Sequence, residues 1–200
     1  MTDADNKLIM AWAAYCDEYD ITIKSVGMAQ LMIESSHAKS DLYINNNNPF
    51  GIKYTEAADY KVDYSTYEYI NGERVELVAS FAGYNSLTRC FNDYCRIVKP
   101  EDILTYDDYI NHLEAIGYAT DPSYINLIND VVRDYDLRDF DIPGSDDLSR
   151  LRSLYKEYRD ELDRIAISVI EGNYGNGLER RERLGDMYNI IQDRVNEILA

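Results

Sequence analysis

A carboxylate at the end of an apolar helix is a candidate proton donor, and the run Ala29-Gln30-Leu31-Met32-Ile33-Glu34 sets Glu34 in that place. Desolvation disfavours the ionised form and raises a carboxyl pKa, which is what the general acid of glycoside cleavage needs. A solvated helix-terminal Glu is the ordinary alternative. A second carboxylate, Glu68, lies in the Tyr-, Val- and Thr-rich run 60–70, separated from the run 73–81 by Asn71-Gly72. Asn-Gly between two such runs signals a hairpin, and its two-residue turn sets Glu68 opposite Val75. Glu56, Asp59, Asp63, Glu73 and Glu76 lie near it, and spacing alone does not choose among them. The amides of Asn45 to Asn48 suit either a sugar or a turn. Tyrosine is unusually abundant, 19 against 4 Phe and 1 Trp. Ordinary core packing must therefore account for most tyrosines. Tyr118 stands apart because it falls in a polar loop, where a flat face and a hydroxyl suit a sugar ring.

The elements that must hold these groups follow from periodicity. Leu8, Ile9, Ala11, Trp12, Tyr15 and Cys16 predict a helix over 5–19. A second runs to Glu34, capped by Thr22 or Ser25, and is apolar nearly all round, so neighbours must bury it. Phe50-Gly51-Ile52-Lys53 leads into a β region and the hairpin. Helices are predicted over 86–98, 105–115 and from the 117–124 loop to about 135. That order predicts an α+β domain with a minor sheet over residues 1–140. Ile142-Pro143-Gly144-Ser145 is a breaker cluster within a linker and linker helix assigned to 141–160. Residues 161–200, with a glycine-rich stop at 172–177, form a small helical module.

The net charge is −17, and most of the excess precedes residue 150. No basic patch supports nucleic-acid binding, and an anionic surface would repel the first domain unless something specific held it there. No signal peptide or membrane-spanning run is legible. Cys16, Cys90 and Cys95 suit no zinc spacing and read as buried free thiols of a reducing compartment. No metal or cofactor is expected.

The spread of short matches is specific. Ala29-Gln30 to Glu34-Ser35 with Lys39-Ser40, Asn47-Asn48-Pro49-Phe50-Gly51-Ile52-Lys53 and Tyr67-Glu68-Tyr69 occur in order. Phe81, Tyr84, Ser86, Phe91, Asp93 and Tyr94 come next, followed by Gly117-Tyr118-Ala119-Thr120-Asp121-Pro122 with Tyr124. Residues 26–137 thereby resemble the peptidoglycan β-N-acetylglucosaminidase family of bacterial autolysins, flagellar wall-piercing enzymes and phage lysins. Two departures are Ser36-His37-Ala38 in place of the family's Gly-Trp-Gly, and Pro49 in place of Leu. Residues 162–199 resemble a short cell-wall-binding repeat of phage lysins, through Gly172, Tyr174-Gly175-Asn176-Gly177, Glu179-Arg180, Arg183-Leu184, Tyr188 and Gln192 to Leu199.

The resemblance implies an α+β lysozyme-like catalytic domain plus a small three-helix bundle. It also implies hydrolysis of the bond after N-acetylglucosamine in bacterial peptidoglycan. Glu34 would protonate the leaving oxygen. Glu68 would activate water or stabilise the oxocarbenium-like transition state. Tyr118 would position the acetamido group or the water. Asn48, Phe50 and Tyr124 are expected at the glycan, and Tyr174, Arg180 and Arg183 at the muropeptide. For the two arginines, surface pairing with Glu179 and Glu182 is an equal alternative. Carboxylates ~6.5–9.5 Å apart would imply inversion and ~5–5.5 Å a covalent intermediate; participation of the 2-acetamido group is a third route. A muramidase on a similar fold, or a non-catalytic wall-binding protein, are the competing readings. The combination suggests a phage endolysin that stays in the host cytoplasm until a separate protein opens the membrane.

Overall fold

The computed structural model describes residues 3–70, 73–142 and 160–199. Helices α1 (Asp3–Glu18) and α2 (Ser25–Glu34) open the fold close to the expected bounds. Leu8, Ile9, Trp12 and Cys16 turn inward from α1. In α2 every residue from Ser25 to Met32 is buried, as an all-round apolar pattern requires. The Trp12 ring meets Phe50, Phe91 and Tyr94 edge-on, each at 5.3 Å between centroids. It also lies against Gly27, where an added Cβ would sit 2.6 Å from the indole nitrogen.

The cap of α2 comes from far along the chain. Neither Thr22 nor Ser25 caps it. Asp141 instead accepts hydrogen bonds from the Lys24 and Ser25 amides at 2.7 and 2.9 Å and from the Ser25 hydroxyl at 2.6 Å. Negative charge at a helix N-terminus is favourable, so Asp141 braces the helix that carries Glu34.

A short helix, α3 (Asp41–Asn46), is not among the expected elements and takes in Asn45 and Asn46 of the run that reads as a turn. The Ser40 hydroxyl caps it by accepting from the Tyr43 amide at 3.2 Å, and Asn47 ends it at a φ of +50°. Residues 50–53 form no strand; one isolated bridge joins Lys53 to Phe81. The hairpin consists of β1 (Tyr60–Ile70) and β2 (Glu73–Gly83), antiparallel, with Glu68 opposite Val75 as the Asn-Gly turn predicts. Helices α4 (Leu87–Val98), α5 (Tyr106–Ala115) and α6 (Tyr124–Asp134) complete the domain. Ser86 and Thr105 cap the first two through their hydroxyls.

Residues 160–170 are helical (α7), followed by α8 (Leu178–Leu184) and α9 (Tyr188–Leu199). This part does not stand clear of the first. Leu162, Ala166, Val169, Ile191 and Val195 join the same buried core. The Asn189 amide donates to the Tyr43 and Ile44 carbonyls at 3.2 and 3.1 Å. Buried Asp193 accepts from the Leu87 amide at the start of α4. Most of the expected linker, residues 143–159, lies outside the described residues. Cys16 and Cys90 are buried free thiols; Cys95 is also free but partly exposed. Among the described residues, no helix is long and apolar enough to cross a membrane.

Candidate active site

Glu34 ends α2 with its backbone buried behind it and its side chain partly open to solvent. Burial pushes its carboxyl up to about 7, and the charge of Glu68 adds to the rise; the Tyr124 hydroxyl and Lys53 pull the other way. The Tyr124 hydroxyl bonds Glu34 and receives the Gln30 amide at 3.1 Å. Gln30 in turn accepts from the Tyr94 hydroxyl, which lies 2.9 Å from that of Tyr109. A buried line of polar groups from three further helices therefore sets the position of the Glu34 carboxyl.

Gly51 leaves the space that Glu34 occupies. Its φ is +64°, and a Cβ there would sit 2.9 Å from Glu34 Oε2. The residues after Glu34 show why glycine is expected in this turn. Ser36, His37 and Ala38 all have positive φ, at +52°, +58° and +59°. That conformation costs a non-glycine residue ~1–2 kcal/mol. The turn is tied back by the Ser35 hydroxyl, which accepts from the Ala38 amide at 2.8 Å, and by His37 Nδ1, 3.3 Å from Asp5 on α1.

Glu68 has the opposite environment. Lys53 Nζ pairs with its Oε1 at 2.7 Å, and the Thr120 hydroxyl donates to its Oε2 at 2.8 Å. These bonds, the Lys53 one foremost, hold its pKa below the usual value against partial burial. Thr120 Oγ1 also accepts from the Tyr69 amide at 3.2 Å. A flat strand would carry Glu68 roughly 20 Å beyond Val62, the partner of Phe81. Since Lys53 bridges Phe81, its ion pair with Glu68 requires the ribbon to coil back on itself.

The structure brings Glu34, Glu68, Tyr118 and Tyr124 into one neighbourhood. Tyr118 stacks on Tyr124 at 6.0 Å, and its hydroxyl donates to the Phe50 carbonyl at 3.0 Å. Asn48 and Phe50 are placed differently from a substrate-contacting pair. Asn48 is fully buried: its amide donates to the Ile52 and Ala82 carbonyls, and its oxygen accepts from the Ile52 amide. Phe50 is 1% exposed and stacks on Tyr94 at 3.8 Å. Lys53, Thr120 and Gln30 were not singled out from sequence, although Gln30, Lys53 and Thr120 each fall inside a matched motif.

In the C-terminal part, Arg180 bonds the Gly175 carbonyl, Gln192 and Asn176 at 3.1, 3.0 and 3.2 Å. Arg183 bonds the Asn173 carbonyl at 2.9 Å and pairs with Glu179 at 2.7 Å. Tyr174 packs partly buried against the core. Arg183 thus makes the expected pairing with Glu179, whereas Arg180 holds the glycine-rich turn.

Comparison with known proteins adds independent findings. The family described as mannosyl-glycoprotein endo-beta-N-acetylglucosaminidase matches residues 10–137, and a CW_7 repeat matches residues 163–199. Exo-glucosaminidase LytG of Bacillus subtilis is 30% identical over 134 residues, covering 60% of this chain and 46% of that protein. A probable N-acetylmuramidase of Lactococcus lactis is 32% identical over 132 residues, covering 58% and 30%. The crystal structure of a peptidoglycan hydrolase mutant from Sphingomonas sp. A1 superposes with a TM-score of 0.57 at 26% identity, covering 70% of this chain and 97% of that one. The chain spans less than half the length of the curated relatives it matches.

Proposed function

The chain belongs to the glucosaminidase family, and on that premise we propose that it hydrolyses the bond after N-acetylglucosamine in peptidoglycan glycan strands. The observation that carries the proposal is two carboxyls that act on each other but are held differently: Glu34 at the end of a buried helix, bonded by the Tyr124 hydroxyl and raised to about 7, and Glu68 paired with Lys53 at 2.7 Å and held low. Two carboxyl groups pushed apart in this way supply an acid and a base at the same pH.

Glu34, protonated below about pH 7, gives its proton to the leaving glycosidic oxygen. Glu68 remains ionised and stabilises positive charge developing on the sugar ring, or takes the proton of the attacking water. Each oxygen of Glu68 has one partner, so lone pairs remain for a water. Tyr118 and Tyr124 stack beside the acid, with Tyr124 also fixing the Glu34 carboxyl. Asn48 and Phe50 act through the loop they pack, placing Gly51 under Glu34, rather than through contact with sugar.

The CW_7 repeat serves as the anchor that an acidic enzyme needs on an anionic wall. Arg183, exposed and held by the Asn173 carbonyl and one exchangeable carboxylate, offers a guanidinium to a carboxylate of the peptide stem. A repeat joined to this domain fits a phage lysin that acts on the wall from the host cytoplasm once a partner has opened the membrane. Domain limits of 1–140 and 161–200, with a linker between, belong to the same proposal.

The test is digestion of purified peptidoglycan, borohydride reduction of the products and identification of the reduced sugar, with Glu34→Gln alongside. Reduced N-acetylglucosamine that disappears in the variant is the expected result. Reduced N-acetylmuramic acid would assign the other bond, as the name of the Lactococcus relative suggests for that protein. Wall binding with no new reducing ends would leave a binding protein.

A further inference from the structure

The ammonium of Lys53 occupies a place that the acid and base roles do not use. It lies 4.0 Å from the centroid of the Phe81 ring, a cation–π contact at the root of the hairpin. The same nitrogen reaches Glu68 near the hairpin tip at 2.7 Å. One side chain therefore links the two ends of a ribbon that must coil to let them meet. Thr120 closes the other side, bonding both the Glu68 carboxylate and the Tyr69 amide.

We infer that Lys53 is a positioning residue for the reaction: clamped between the Phe81 ring and the Glu68 carboxylate, it holds the coiled hairpin so that Glu68 stays within electrostatic reach of Glu34. The inference rests on the proposed roles of the two carboxyls and deepens them. Lys53 touches neither the leaving oxygen nor the sugar in this scheme; it acts through Glu68. Its charge is also felt at Glu34, so one residue tunes both groups in the same direction. Among the described residues, the other titratable groups that interact with Glu34 are Tyr118 from the loop before α6 and Tyr124 from α6, while Asp121 and Arg74 act on each other. The Arg74 guanidinium lies 3.8 Å from the Tyr67 ring centroid. Lys53 is the one cation bonded to Glu68 among the described residues.

The sign of the effect follows. Removing the ammonium makes the Glu68 carboxylate less stable, so its pKa rises. Glu34 loses a favourable charge as well, so its pKa rises too. The whole bell of activity against pH then moves upward, which loss of packing alone would not produce.

The experiment compares the full chain with Lys53→Met, Lys53→Arg and Thr120→Val on peptidoglycan across pH. The Glu68 titration is followed in each by carboxyl-carbon NMR. Lys53→Met is expected to lose about tenfold or more in kcat, with both limbs and the Glu68 titration displaced upward by about half a pH unit or more. Lys53→Arg keeps the charge and is expected to keep the limbs in place. Thr120→Val removes a neutral bond and should move them less than Lys53→Met. An unmoved Glu68 titration in Lys53→Met overturns the inference whatever the loss of rate. Full activity of Glu68→Gln would instead sink the catalytic reading of Glu68, while the NMR shift would still report whether Lys53 holds that carboxylate.

Discussion

Glu34 and Glu68 carry the same chemical group and are driven in opposite directions by their surroundings. Glu34 projects from a helix buried along most of its length, with hydroxyls and an amide behind it and, among the described residues, no cation bonded to it. Glu68 projects from a two-stranded ribbon whose faces are largely open, and an ammonium sits directly on it. Burial with only a distant countercharge keeps a proton; a bonded countercharge without full burial removes one. On the proposed roles, an acid and a carboxylate come from one residue type placed on different kinds of element.

Activity gives the largest handle on that contrast. Glu34→Gln should lower kcat by about 10²–10⁴-fold, the usual range for a lost general acid, with substrate affinity little changed. Glu68→Gln should also lower kcat, but its loss should not vary with the acidity of the leaving group. Rates on substrates with leaving groups of graded pKa distinguish the two: an activated leaving group rescues only Glu34→Gln. Equal rescue of both variants would break the assignment of roles.

Stability tests the same contrast away from substrate. The folded pKa of Glu34, about 7, exceeds the ordinary 4.5, so the folded state binds the extra proton between those values. Stability from the protonated group is full below about pH 4.5 and is lost as pH rises through about 7. Glu34→Gln should therefore be more stable than the parent at pH 8, by about 1–3 kcal/mol, with the gain shrinking towards pH 4.5. Urea melts at the two pH values measure it, and a gain independent of pH would contradict the burial account.

The smallest effect comes from the support of the acid helix. Asp141→Ala removes three hydrogen bonds at the start of α2 and should cost about 1–2 kcal/mol in thermal or urea melts. No comparable loss is expected of the Glu68 arm, which Asp141 does not touch. A shift of the acid limb of the pH profile in this variant would show the two regions to be coupled more tightly than the contacts indicate.

Those two regions also differ in how far they could be read from sequence. The hairpin register was legible because Asn71-Gly72 permits one short turn, and Glu68 opposite Val75 follows by counting. The buried setting of Glu34 was legible because α2 is apolar on every side. What failed depends on partners distant in the chain. Asp141 looks like part of an acidic breaker cluster, yet it caps α2 from 116 residues away. Asp193 does the same for α4 from the last helix. Asn48 looks like a sugar-binding amide, because local sequence does not reveal that two carbonyls and an amide already surround it. Helix α3 was hidden by its asparagines, whose turn preference is overridden by the Ser40 cap and by burial of Tyr43.

The most direct test is to titrate both carboxyls in one sample of the parent protein by carboxyl-carbon NMR, with Glu34→Gln and Glu68→Gln assigning the signals. The account predicts Glu34 titrating near 7 and Glu68 below the ordinary 4.5. Two ordinary values, or the reverse order, would contradict the division of labour on which the proposed reaction depends.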